Sequence, residues 1–260
     1  MNLRNKTFFF AAENSVAAAA DSSFKNSAEV FSWLSRFINL EKGQTPKSFR
    51  LDRMEFLAAL AGRPERCAPS IHIAGSKGKG SVTGMLSSML EAAGRRVARY
   101  MSPHVSDYRE RISLGASFFD EDVYRAAGGE VRRIAESLGA GNSGAGPFDP
   151  RHEEGEGPSF FELLTLFFFL CARRGNCDVM VVETGMGGRL DSTNIVNPLV
   201  SVITVIELEH TEFLGNTLAA VAGEKAGIIK PGRPLVLGEQ PPGALEVFRK
   251  RAAEKGSPFL

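Results

Sequence analysis

Short apolar runs and longer stretches of helical periodicity alternate along the chain. Residues 71–74, 97–101, 179–183, 200–206 and 234–237 are compact apolar runs of strand length, rich in Val and Ile. Most are separated by stretches with a period of about 3.6 residues: 81–93, 120–138, 160–173, 218–227 and 244–255. Upstream, Val30, Phe31, Leu34, Phe37 and Ile38 recur at helical spacing, and residues 50–60 predict a second helix, stopped by Gly62 and Pro64. Strands alternating with helices predict βαβ units and a largely parallel sheet covered by helices on both faces. In such a sheet ligands bind beyond the carboxyl ends of the strands.

Two segments carry no period. Residues 139–158 are dense in Gly and polar residues and read as a flexible surface loop rather than a domain boundary. At the amino terminus, Arg4 and Lys6 precede Phe8, Phe9 and Phe10 as they would in a secretory signal, but Glu13 and Asn14 interrupt the apolar stretch at once. Residues 1–26 therefore read as a frayed leader. The most apolar stretch, 161–172, contains Glu162 and is shorter than the ~18 residues of a membrane span, so it predicts a buried helix.

Composition narrows the partners. The 31 Lys and Arg nearly balance 30 Asp and Glu, a net charge of +1, so no overall field attracts nucleic acid or an anionic membrane, and any polyanion must be bound locally. Cys67, Cys171 and Cys177 form no CxxC pair and fit a reduced, cytoplasmic protein. With 260 residues, 43% of them hydrophobic, the chain suffices for one substantial core.

The first chemical motif follows the strand at 71–74. Gly75, Ser76, Lys77, Gly78, Lys79, Gly80 and Ser81 lead into a helix. A strand turning through glycines into a helix lets backbone N–H groups converge on phosphate oxygens, with Lys79 as a point charge for the outer phosphates. The spacing is not the full GxxxxGK[ST] pattern, because Gly75 lies three residues before Gly78 and Gly80 separates Lys79 from Ser81. The alternative is a glycine-rich turn with solvated lysines.

This shortened loop resembles the ATP loop of the Mur ligase superfamily, and the surrounding stretch is similar to the folylpolyglutamate synthase/dihydrofolate synthase family. That family's loop reads GTNGKGS, so Ser76 and Lys77 depart from it. Four further blocks match in order. Ser102-Pro103-His104 with Glu110-Arg111-Ile112 resembles the SPH...ERI loop, and Ser159 to Thr165 the T-x-F-E-x-x-T helix. Glu183 to Asn194 follows E-x-G-x-GGR-x-D-x-TN, and Glu209-His210 through Leu214-Gly215 to Lys230 follows DH...LG...EKAGIIK, with Glu209 in place of Asp.

The resemblance implies a Mur-ligase-central-domain fold of the P-loop type and an ATP-dependent ligase of folate biosynthesis and one-carbon metabolism. Such an enzyme joins glutamate to a folate or dihydropteroate carboxylate through an acyl phosphate. It implies Lys79, His210 and Lys225 as catalytic groups and two Mg²⁺ ions, one held by Ser102 and Glu183, the other by His210 and a carbamylated Lys225. Pro103, His104 and Arg111 fall in the substrate loop. By the residues alone, Glu183 is a carboxylate at a strand's carboxyl end, open to a metal or a loop cap; His210 is an ordinary structural histidine; and Lys225 is a solvated helix residue. Family members carry a second, Rossmann-like domain, and this chain, read as a single ATP-binding domain over 1–260 and expected to be a monomer, ends before one. Two other readings stay open: a nucleotide-binding remnant of low activity, and another Mur-type ligase that adds an amino acid to a peptidoglycan precursor.

Overall fold

The computed structural model describes residues 24–39, 50–138 and 157–260. The expected leader at 1–26 and loop at 139–158 lie almost wholly outside these residues. Eight α-helices and six strands are present among the described residues, in the order α1 (Ser27–Leu34), α2 (Leu51–Leu60), β1 (Ser70–Ala74), α3 (Lys79–Ala92), β2 (Val97–Tyr100), β3 (Ile112–Leu114), α4 (Glu121–Ser137), α5 (Phe160–Arg174), β4 (Val179–Glu183), β5 (Val200–Ile203), α6 (Thr211–Leu214), α7 (Leu218–Lys225), β6 (Leu235–Leu237) and α8 (Pro242–Lys255).

The strands form one sheet in the order β3-β2-β4-β1-β5-β6, in which only the β2–β3 pair is antiparallel. The five strands expected from apolar runs are all present. The sixth, β3, is three residues long on the sheet edge, too short for a periodic signal. The run at 200–206 gives a strand only to Ile203, and the chain then leaves the sheet for the functional loops.

Each sheet face is covered by helices. On one, Ile73, Val97, Val179 and Val181 pack against Val82, Leu86 and Leu90 of α3. On the other, Ala98, Tyr100, Met180 and Val182 meet α5, with α1, α2 and α4 beyond it, while Ala74, Ile203 and Leu235 meet α7 and α8. β4 is buried at every position, as its uninterrupted apolar sequence requires of a central parallel strand. The apolar run at 161–172 is the buried α5, capped by Ser159 and Glu162 in a reciprocal capping box. No helix among the described residues is long and apolar enough to cross a membrane.

Candidate functional site

Strand register brings the first two motifs together. β1 and β4 are parallel neighbours with Ile73 opposite Glu183, so the glycine loop leaving β1 and the carboxylate ending β4 emerge side by side. The loop turns at Gly75 (φ +148°) and Gly78 (φ +81°), and α3 begins at Lys79, two residues earlier than the periodicity predicts. Gly75 is required: a Cβ there would lie 1.7 Å from Thr204 Oγ1. Thr204 braces the turn by donating to the Lys77 carbonyl at 2.7 Å. The early N–H groups of α3 have no partner within the helix, which leaves them for an anion.

The loop's side chains divide by role. Lys79 Nζ folds back on its own loop, donating to the carbonyls of Gly75 at 2.9 Å and Ser76 at 3.4 Å. The Ser76 hydroxyl is turned away, to the backbone of Glu207, accepting its N–H and donating to its carbonyl, each at 3.0 Å. Lys77, on the surface, pairs with the Glu207 carboxylate at 2.6 Å. The two positions that depart from the family loop thus both face Glu207. Gly78 has open space beside it and Ser81 is exposed, while Gly80 sits against Met101 and Glu183.

Glu183 is buried, and its Oε2 has no hydrogen-bond partner. A Cβ on Gly80 would stand 3.7 Å from that oxygen, so the unpartnered atom faces the first turn of α3. Burial raises its carboxyl to about 7, against the pull of Lys79 and a backbone hydrogen bond from Ser102. Such an oxygen suits a hard cation that takes its other ligands from phosphate and water. Among the described residues no three His, Cys, Asp or Glu side chains cluster as a self-sufficient metal site.

Lys225 is not the solvated helix residue that its sequence context suggests. It ends α7 almost fully buried, donating to the Gly75 carbonyl at 2.8 Å and to Glu209 Oε1 at 2.6 Å. Burial lowers its ammonium from the usual lysine range and Glu209 opposes this, while Lys225 helps to hold Glu209 below the usual carboxylate range against burial. His210 follows Glu209 at the N-cap of α6 in a left-handed conformation (φ 44°), exposed. It lies seven residues past the end of β5 rather than at the strand terminus, because the chain needs a loop to reach across the glycine turn.

A cavity of about 750 Å³ opens beside this cluster, lined by Arg53, Ser102, Pro103, Phe161, Asp191 and His210 among others. Next to it, Glu110 accepts the backbone N–H groups of Val105, Ser106 and Asp107, which organises the SPH...ERI loop. Arg111, buried, donates from Nε to His104 Nδ1 at 2.8 Å, and His104 stacks on Tyr108 at 4.1 Å. Neither Arg111 nor His104 lines the cavity, so they shape the loop from behind, whereas Ser102 and Pro103 face it.

Three participants were not singled out in the sequence. Asp191, inside a quoted block, accepts the N–H groups of Gly185 and Met186 just past Glu183. Thr204 braces the glycine loop, with no local signal to mark it. Arg53 forms a buried ion pair with Glu162 at 2.7 Å on the cavity wall, readable only once α2 and α5 are known to meet.

No protein-family model matches the chain. The chain is 39% identical over 210 residues to the dihydrofolate synthase/folylpolyglutamate synthase of Bacillus subtilis, covering 80% of this chain and 46% of that protein. It is 39% identical over 207 residues to the enzyme of the same name from Mycobacterium tuberculosis, covering 76% and 41%. The structure of apo L. casei FPGS superposes with a TM-score of 0.78 at 32% identity, over 90% of this chain and 53% of that one. E. coli FolC in complex with DHPP and ADP superposes with a TM-score of 0.74 at 30% identity, over 93% and 52%. The chain spans about half the length of the relatives it matches. In sequence and in fold alike, the chain belongs to the dihydrofolate synthase/folylpolyglutamate synthase family.

Proposed function

We propose that the chain is the ATP-binding part of a ligase that adds L-glutamate to the carboxylate of dihydropteroate or a folate. The observation that carries the reading is the unpartnered, buried Glu183 oxygen facing the helix start behind a loop whose turn at Gly75 only glycine can form. A relative's structure, an FPGS–AMPPCP–folate complex, matches with a TM-score of 0.78 at 32% identity and supports both ligands.

The chemistry follows from what an unaided carboxylate cannot do. An amine does not displace oxide from a carboxylate, so the γ-phosphoryl group of ATP is first transferred to the acid. The bond to the β–γ bridging oxygen breaks, ADP leaves, and an acyl phosphate forms. The glutamate amine attacks its carbonyl carbon and phosphate departs. Positioning and charge neutralisation do most of this work. Gly75, Gly78, Gly80 and the early N–H groups of α3 cradle the phosphates, Ser81 hydrogen bonds one, and Lys79 swings from its loop carbonyls to the outer oxygens. The acid substrate occupies the cavity between Phe161, Arg53 and the Ser102–Pro103 turn.

The unpartnered Glu183 oxygen fits Mg²⁺: Glu183 and Ser102 would hold one ion, and in the same reading His210 and Lys225, once carbamylated, would hold a second. Bound there, Mg²⁺ would neutralise the charge that develops on the phosphates. Titrating Mg-ATP calorimetrically into the chain and into its Lys79→Ala form tests the loop. The reading expects binding that Lys79→Ala weakens by at least about tenfold, in line with the loss of a charge-assisted contact. Equal heats from both proteins would remove the loop from the site.

A further inference from the structure

Behind the cavity wall lies a line of three side chains that the proposed chemistry leaves unused. His72, on β1 and fully buried, has Nε2 2.8 Å from Thr193 Oγ1. Thr193 Oγ1 donates to Asp191 Oδ1 at 2.5 Å, and that oxygen also accepts the Thr193 N–H at 3.0 Å. Asp191 Oδ2 accepts the N–H groups of Gly185 and Met186 at 2.9 and 3.0 Å. With two donors on each oxygen, the carboxylate's lone pairs are filled.

Proton accounting fixes the direction of the line. Thr193 has one hydroxyl proton and gives it to Asp191, so its oxygen can only accept from His72. Nε2 therefore carries a proton, and the buried Nδ1 has no partner to receive a second one, which leaves the imidazole neutral and bare on Nδ1. The other tautomer would set a bare nitrogen against the Thr193 oxygen and bury an N–H with no acceptor, the rarer and costlier orphan. Burial supports the neutral form, pushing His72 down to about 3.

We propose that His72 and Thr193 are positioning residues: the His72–Thr193–Asp191 line locks the Gly185–Met186 turn, and through it the carboxylate of Glu183 two residues upstream. Its effect on nucleotide binding rests on the function proposed above; the line itself does not. The geometry explains why a polar histidine sits between Ile71 and Ile73 at the buried centre of β1. It donates the one proton that Thr193 cannot supply to both neighbours.

The test uses the 260-residue chain labelled with ¹⁵N. Long-range ¹H–¹⁵N correlation at neutral pH is expected to show His72 as the Nε2–H tautomer. Thr193→Val should speed exchange of the Gly185 and Met186 amides by at least about tenfold, the scale of one lost hydrogen bond to a charged group. Amides within β1 should keep their rates, and Thr193→Ser, which restores the hydroxyl, should restore protection. Thr193→Val should also weaken Mg-ATP binding while Thr193→Ser does not. An Nδ1–H tautomer or an imidazolium overturns the proposal, as does unchanged exchange in Thr193→Val. If the unaltered chain binds no Mg-ATP, the nucleotide reading falls, and the tautomer and exchange results still decide the line.

Discussion

Lys225 Nζ donates to the Gly75 carbonyl oxygen at 2.8 Å, tying the last turn of α7 to the first residue of the glycine loop 150 positions earlier. The same ammonium is paired with Glu209 at 2.6 Å. This contact constrains the carbamylation proposed for Lys225. A carbamate would set a second negative charge against Glu209, so the modification requires a cation to offset the repulsion. Burial, which favours the neutral amine that reacts with carbon dioxide, assists it. The expected outcome is a carbamate ¹³C signal from labelled bicarbonate only when Mg²⁺ and nucleotide are both present, and none in Lys225→Met. That variant also strands Glu209, which is partly buried, and should lower stability by about 2 kcal/mol in chemical denaturation.

Gly75→Ala tests the brace between the loop and Thr204. The new Cβ would meet Thr204 Oγ1 at 1.7 Å, and the φ of +148° disfavours any side chain. Two independent penalties should together cost about 3 kcal/mol of stability and abolish measurable Mg-ATP binding. Adding Thr204→Ala removes the Oγ1 contact but leaves the residue's Cβ at 2.9 Å and the backbone strain. Thermal denaturation of the double variant should therefore recover part of the loss, and full recovery would show that φ carries none of it.

The parts of the fold legible in the sequence were those whose signal is local. β4 is a continuous apolar run because both of its faces are covered, and Ser159 with Glu162 announces the start of α5. The glycine loop was readable because the backbone itself does the work. Lys225 was not: its α7 segment gives a short, weakly patterned helix, and the carbonyl that captures its ammonium belongs to a distant strand exit. His72 was equally silent, since its partner is 121 residues away and nothing in the run Ile71-His72-Ile73 distinguishes a buried donor from a surface histidine. That the Ser76 and Lys77 side chains are engaged by Glu207 was not readable either, since the contact is set by where the chain leaves β5.

Two buried groups give the stability a pH dependence of opposed sign. His72 has its folded value depressed from 6.5 to about 3, so the unfolded chain binds the extra proton between these limits, and its contribution is lost as pH falls below about 6.5. Glu183 is raised from 4.5 to about 7, so the folded chain binds the extra proton there, and its contribution is lost as pH rises through about 7. Between about 4.5 and 6.5 the two slopes, each at most ~1.4 kcal/mol per pH unit, largely cancel. Replacing His72 with Gln keeps a donor for Thr193 and removes one titration. Urea denaturation of His72→Gln should show stability falling more steeply with rising pH through this window than in the unaltered chain, by up to ~1.4 kcal/mol per pH unit. Parallel profiles for the two proteins would show that His72 is not held neutral by the fold.

Gly185 and Phe161 define the cavity wall together. A Cβ on Gly185 would fall 2.4 Å from Phe161 Cζ, and Gly185 carries no left-handed φ, so Gly185→Ala acts through that ring alone. Phe161 is only half-buried and lines the cavity, so its ring can swing aside, into the space proposed for the acid substrate. Folding should therefore be little affected while the cavity narrows. Calorimetric titration with dihydropteroate or folate is expected to show binding weakened by about tenfold, the scale of a modest overpacking penalty, with Mg-ATP binding unchanged. Phe161→Leu in the same chain removes the far end of the ring and should return most of the affinity lost to crowding. If Gly185→Ala instead weakens Mg-ATP and leaves the acid untouched, the cavity is not the acid's site, and the turn after β4 acts only through Glu183.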